Sequence, residues 1–182
     1  MNPPPGWLPP LVLLPDHGGD WGTYVEALYH WFKSDFIDSK PKFRGRTLRL
    51  KRYPLEKGKE ATFWHLVSEG HTEADRVPDM RRCERIRWPR PIIEKADEEG
   101  LKIWVAVKKG EDRIHIWLTD EDYLVVLADR KSYLLPWTAF LVNQDHTRRK
   151  LRREFEAYQA GLPKMADAAQ KDGTVTPPTH GR

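Results

Sequence analysis

LKIWVAVKKGEDRIHIWLTDEDYLVVLADRKSYLLPWTAFLVN, residues 101–143, decides the fold. It divides into four runs rich in Val, Ile, Leu, Trp and Tyr, at residues 101–109, 113–119, 123–128 and 132–142. Three short polar breaks separate them: Gly110-Glu111-Asp112, Asp120-Glu121-Asp122 and Asp129-Arg130-Lys131. β-Branched and aromatic residues suit a pleated surface, and breaks this short leave room only for hairpin connections. The stretch therefore predicts a four-stranded antiparallel meander. Several runs alternate in polarity, which predicts one packed face and one partly wet face.

Working outward, Asp20 reads as an N-cap. Trp21, Val25, Leu28, Tyr29, Phe32 and Phe36 then fall at helical spacing. His30 lies among aromatics in that helix and reads as structural. Residues 46–53 alternate Leu48 and Leu50 with basic residues. Residues 54–60 read as a turn and residues 61–68, ATFWHLVS, as a returning strand, giving a β-hairpin with one basic face. Residues 80–88 read as a helix with Pro78 in its first turn and Asp79 favouring its dipole. Arg81 and Arg85 share one face of it, with Arg82 near them. Pro89 and Pro91 interrupt, and residues 92–99 restart a helix that Gly100 stops.

Beyond the meander, Asp145 or Thr147 caps a closing helix to about residue 159. Leu151, Phe155 and Tyr158 face inward, and Arg148, Arg149, Lys150, Arg152 and Arg153 cover the rest. The expected class is α+β: an N-terminal helix and β-hairpin, a helix, then a four-stranded antiparallel sheet with a closing basic helix. One domain spans residues 20–160. A proline-rich arm, residues 1–19, precedes it, with Trp7 and residues 11–14 as its candidate anchors. The tail at residues 161–182 is small, polar and Pro-containing, which predicts disorder.

The 182 residues are enough for one domain with a real core. Charged residues make up 32%, and mean hydropathy is −0.72, which predicts a soluble chain. The longest apolar run, residues 11–14, is far too short to cross a bilayer, and no Lys or Arg precedes it as a signal peptide requires. No membrane partner and a cytoplasmic location are the expectations. Net charge is +4, concentrated at residues 40–59, 81–90 and 148–153. Clustered base points to a polyanion, RNA or DNA first, or else simply solvates exposed faces. Of the eight Trp, most should be core, and one or two offer a platform on which bases stack.

Cys83 is the single cysteine, so no internal disulfide and no Cys-based zinc site is expected. There is no HExxH, no CxxC, no histidine pair at helical spacing, no glycine-rich phosphate loop and no GxSxG elbow. No metal or cofactor is expected. A scatter of His, Arg, Lys, Thr and Tyr remains. Such a set suits metal-free RNA cleavage: a base for the ribose 2′-OH, an acid for the leaving 5′-oxygen and cations for the phosphate.

Each candidate has a plainer reading beside it. His65, in Phe63-Trp64-His65-Leu66, is a general acid or base, or a half-buried histidine bonded to backbone. Glu69 and His71 follow it closely. His115 alternates with Arg113 and Trp117 on the polar face of its strand, as a second proton-transfer group or a surface histidine. Arg81, Arg82 and Arg85 clamp a phosphate or solvate a helix face. Lys131, Ser132, Tyr133 and Thr138 surround the last turn and strand. Thr138 shares a face with Ser132, Leu134 and Phe140, and bonds backbone or phosphate.

Phe63-Trp64-His65-Leu66, the run Arg81-Arg82-Cys83-Glu84-Arg85-Ile86-Arg87-Trp88 with Pro91-Ile92-Ile93, and residues 123–131 with Tyr133 and Trp137-Thr138-Ala139 resemble phage and mobile-element proteins of the barnase–EndoU–colicin–RelE-like nuclease superfamily. The resemblance covers residues 62–158. It implies helices followed by a four-stranded antiparallel sheet, and a metal-independent, toxin-like endoribonuclease acting on RNA, tRNA among the candidates. It implies catalytic roles for His65, Lys131 and Thr138, and substrate binding by Arg81, Arg82 and Arg85; His115 and Tyr133 join the substrate-binding candidates by residue type and position alone. A hairpin at residues 46–68 with a basic face is not part of that family's pattern, although its second half carries Phe63-Trp64-His65-Leu66. The alternative is a non-catalytic module that binds nucleic acid or an acidic protein.

Overall fold

The structure, a computed structural model, describes residues 3–161. The tail expected to be disordered lies, from residue 162 onward, outside the described residues. The meander forms as expected. Strands β5 (Lys102–Lys108), β6 (Glu111–Leu118), β7 (Tyr123–Asp129) and β8 (Leu134–Leu141) follow one another in space as in sequence, every pair antiparallel. β6 starts two residues earlier than expected. Lys109 and Gly110 alone make the turn, with φ of 49° and 75°, the conformation whose twist matches a two-residue hairpin.

The wet face is a correction. β7 is buried from Tyr123 to Ala128, on both faces. One face carries Ile114, Ile116, Leu118, Tyr123, Val125, Leu127 and Leu134 into the larger core. The other carries Trp104, Trp117, Leu124 and Val126 into a second cluster that Leu151 and Phe155 complete. Those last two come from α5 (Asp145–Gln159), so the basic helix covers this second face. α5 begins after Gln144 without a side-chain cap, and Tyr158 is exposed rather than inward.

The first face is covered by the helices that follow the small hairpins, at residues 61–67, 80–84 and 89–95, and α1 (Trp21–Phe32) and the arm join the same core. Asp20 caps α1, its Oδ2 accepting from Thr23 N at 2.7 Å. The helix widens into a π-helical turn, Lys33–Asp38, that buries Phe36. The arm is tied along its length. Trp88 Nε1 donates to Pro9 O at 3.0 Å, Val12 N to Glu84 O at 2.9 Å and Tyr24 Oη to Val12 O at 2.7 Å.

The expected hairpin at residues 46–68 is overturned. A small hairpin exists, but it pairs β1 (Lys42–Phe43) with β2 (Arg46–Thr47). Residues 61–67 form helix α2 (Ala61–Val67). All seven are buried, so neither a two-residue nor a helical periodicity could show in their polarity. Residues 48 and 49 run beside β8 instead: Leu48 bridges Leu134 in parallel, and Arg49 N donates to Leu134 O at 2.8 Å.

After the short pair β3 (Ser68–Glu69) and β4 (Val77–Pro78), the expected helix over residues 80–88 stops at Glu84, and the helix expected to restart at residue 92 begins at Pro89 with Pro91 inside it. α3 (Met80–Glu84) is capped by Asp79, whose Oδ1 accepts from Arg81 N at 2.8 Å, while Pro78 belongs to β4. Arg85 leaves helical geometry, and α4 (Pro89–Lys95) opens on a proline, a residue suited to a first turn. Among the described residues, no helix is long and apolar enough to cross a membrane.

Ile116 sits at 0% exposure in the middle of β6. Ile116→Ala should cost about 2–5 kcal/mol and Ile116→Val about 0.5–1.5 kcal/mol, read from urea unfolding curves. Equal, small losses would show that this face of the sheet is loosely packed.

Candidate functional site

β8 is an edge strand of the sheet, and α2 and α3 pack along it. Its register slips between the partners of β7: Val126 faces Thr138, but Leu127 faces Pro136. Trp137 is the extra residue, and the bulge re-aims the rest of the strand. Leu134 therefore belongs to the larger core, while Trp137 and Phe140 join the second cluster. The shared face expected for Thr138, Leu134 and Phe140 is broken at this point.

Around Trp137 four elements converge. From α2, the His65 ring meets it edge-on, with centroids 5.9 Å apart. From β6, the Arg113 guanidinium lies over it, 4.0 Å from the ring centroid. Next along β8, Thr138 Oγ1 accepts a hydrogen bond from Arg82 Nη1 at 2.9 Å, and the Arg82 guanidinium reaches over Phe140 at 5.3 Å. The β3–β4 connection supplies Glu73, whose Oε1 is 2.9 Å from His65 Nε2. Glu73 also holds Lys51 at 2.7 Å and Arg76 at 3.3 Å.

The electrostatics of the cluster come from burial. The His65 side chain is 5% exposed, and desolvation lowers its pKa against the opposing pull of Glu73. At neutral pH the imidazole is uncharged. Nε2 then donates to the carboxylate, which leaves the lone pair on Nδ1. Burial would raise the pKa of Glu73, but hydrogen bonds from Lys51 and His65 outweigh it and hold the carboxyl at about 2. Arg113 is buried, with Nη2 2.6 Å from Glu111 Oε2. Its Nη1 has no hydrogen-bond partner among the described residues. A buried guanidinium nitrogen left unpaired is destabilising unless something fills the position.

The structure thus gathers His65, Arg82 and Thr138 of the expected residues, with His65 on a helix instead of a strand. It places the others elsewhere. His115 lies two positions from Arg113 on the same face, but that face is packed. The ring stacks on Trp104 with centroids 4.8 Å apart, Nδ1 is 3.1 Å from Arg113 O, and burial pushes its pKa down to about 4. Lys131 is at the β7–β8 turn, its side chain 84% exposed and 3.6 Å from Asp112. Tyr133 lies in the same turn beneath Arg49. Roughly 13 Å of strand separates Leu134 from Thr138 at 3.3 Å per residue. Arg81 is exposed, and Arg85 turns to Arg81 O at 3.0 Å and over Trp88.

Glu73, Trp137, Arg113, Lys51 and Arg76 belong to the cluster but are not among the site residues expected from the sequence. Pro136 is the one available signal. A proline in a strand cannot donate to the ladder and marks an edge or a bulge. Glu73 lies in a polar connection with no period to reveal its partner.

His115 remains neutral in the fold down to about pH 4, whereas an unfolded histidine protonates near 6.5. Its stabilising contribution is complete above pH 6.5 and is lost as pH falls from there towards 4, at up to about 1.4 kcal/mol per pH unit. His65, lowered in the same direction, adds to that loss. His115→Phe keeps a ring against Trp104 and should flatten the limb in urea midpoints collected from pH 7 to 4. An unaltered limb would mean that His115 titrates alike in both states. No family model, curated protein or solved structure matches the chain, and the chemistry of the cluster has to be read from its own geometry.

Proposed function

We propose that the protein is a metal-independent endoribonuclease that cleaves RNA by attack of a ribose 2′-OH on the adjacent phosphate. The observation that carries this reading is the neutral, carboxylate-oriented His65 on Trp137, the same ring that carries Arg113 with its unpaired Nη1. A histidine held neutral is a competent base at physiological pH, and unpaired guanidinium donors suit charge that grows on phosphate oxygens. The resemblance to the barnase–EndoU–colicin–RelE-like nucleases supports the same class.

In this mechanism His65 Nδ1 takes the 2′-OH proton, and Glu73 fixes the tautomer and stabilises the imidazolium that forms. The O2′–P bond forms as the P–O5′ bond breaks, and O5′ leaves with a proton from water. The products are a 2′,3′-cyclic phosphate and a 5′-hydroxyl. Arg113 and Arg82 hold the non-bridging oxygens, and Thr138, already bonded to Arg82, positions the phosphate. Lys131 is too far along the chain to share this phosphate. Its exposed side chain meets a neighbouring one.

A second reading is RNA binding without cleavage. One observation favours it: with 5% of the His65 side chain exposed, access to the base is narrow. The two readings separate in EDTA. Total tRNA and rRNA incubated with the protein should give discrete fragments ending in cyclic phosphate on a denaturing gel. His65→Ala should slow cleavage by about 10²–10⁴-fold, the usual worth of a positioned acid or base. Glu73→Gln should lower the rate less and shift the pH–rate profile. Intact RNA that still shifts on a native gel would leave only the binding reading.

A further inference from the structure

α5 has two unlike faces. Leu151 and Phe155 enter the second cluster. At 100° per residue, His146, Arg149 and Arg153 fall within about 60° of one another on the opposite side, with Arg152 and Lys150 flanking them. His146, Arg149, Arg152 and Arg153 line one shallow, open hollow along the helix. Ala157 is the one apolar residue on this face, and its acids among the described residues are Asp145, at the first position of the helix, and Glu156.

These cations differ from many of the arginines elsewhere in the molecule. Arg44 is paired with Asp97, Arg46 with Asp129, Arg113 and Arg130 with Glu111, and Arg148 with Asp122. The side chains of Arg149, Lys150, Arg152 and Arg153 make no hydrogen bond or ion pair with any described residue, although all lie in a well-formed helix. The helix's own acids are already engaged: Asp145 with Arg148, and Glu154 with Trp104 and Lys108.

We propose that the outward face of α5 docks the phosphate backbone of a base-paired RNA stem, next to the strand that enters the His65 cluster. This rests on RNA as the ligand of that cluster and names which part of an RNA the helix holds. From residue 146 to 153 the helix rises about 10 Å. That is long enough to meet several successive phosphates of one strand of a stem. Guanidinium groups offer planar paired donors to phosphate oxygens. A protein partner would need a large apolar centre to its interface, and this face offers only the methyl of Ala157. The chain's own residues 162–182 hold Lys164, Lys171 and Arg182 against Asp167 and Asp172, so they do not complement it. α5 also covers the sheet face whose cluster includes Trp137, so an RNA seated on it lies on the cluster's side of the sheet.

The test is fluorescence anisotropy with a labelled 12-base-pair RNA hairpin, in EDTA. The His65→Ala chain serves as the parent, so that cleavage cannot consume the probe. Adding Arg149→Glu and Arg153→Glu should weaken binding at least tenfold and reduce the slope of log affinity against log salt by about two. Adding Arg149→Lys and Arg153→Lys should keep most of both, and matching thermal melts show that the fold is intact. Unchanged hairpin affinity in the charge-reversed chain overturns the proposal. So does a parent that binds an unpaired 12-mer, or a poly-glutamate peptide of equal charge, as tightly as the hairpin. Cleavage is read separately in the unsubstituted chain, so loss of the nuclease reading leaves this result standing on its own.

Discussion

A sheet that is apolar on both faces has to be covered twice, and that demand organises this molecule. β7 is buried from Tyr123 to Ala128 whichever way its side chains point. Removing about 25 cal/mol per Å² of apolar surface from water drives both coverings. α2, α3 and α4, backed by α1 and the proline-rich arm, close one face, and α5 closes the other with Leu151 and Phe155. The arm has no ladder of its own, so it is fixed by single bonds to Tyr24, Glu84 and Trp88. α5 packs through one narrow stripe and leaves the rest of its circumference to charge.

The remaining constraint is the edge. β8 has an unpaired side, and bare edges invite pairing with other chains. Here residues 48 and 49 cover its start, and α2 and α3 cover the rest. A bulge marks the change from one covering to the other: Trp137 is squeezed out of the ladder and turned towards the second face. That displaced ring becomes the surface on which His65, from the covering helix, and Arg113, from inside the sheet, come together. The candidate site is therefore a product of how the edge is closed.

The same dependence on tertiary cover separates the legible parts of the sequence from the rest. The meander is legible because its signals are local: four runs of strand formers, three polar breaks, and Lys109-Gly110 between two of them. Asp20 as the cap of α1 is local too. Residues 61–67 read as a strand because Phe63, Trp64 and Val67 have strand-like preferences, and complete burial erases the pattern that would distinguish helix from strand. His115 reads as part of a wet face because Arg113 beside it is charged. Stacking on Trp104 and the cover of α5 are tertiary facts, absent from the strand's own alternation. His65, Arg82 and Thr138 stand out by residue type, whereas Glu73 and Trp137 acquire meaning only through partners that are distant in sequence.

Burial also decides which charge state the cluster presents. Lys51 and Arg76 set positive charge beside His65 and Glu73, and a protonated imidazole there would add one more cation to a poorly solvated place. Desolvation and the coulombic pressure of Arg76 and Lys51 both act against that proton, and the single carboxylate of Glu73 does not reverse them. The resting cluster is thus a neutral base inside a cationic frame. Under the proposed cleavage, a bound diester would offset the arginines, and an imidazolium unfavourable in the empty site would be stabilised once it is in place. That order, a base available before binding and its protonated form stabilised only afterwards, is the one that 2′-OH attack needs.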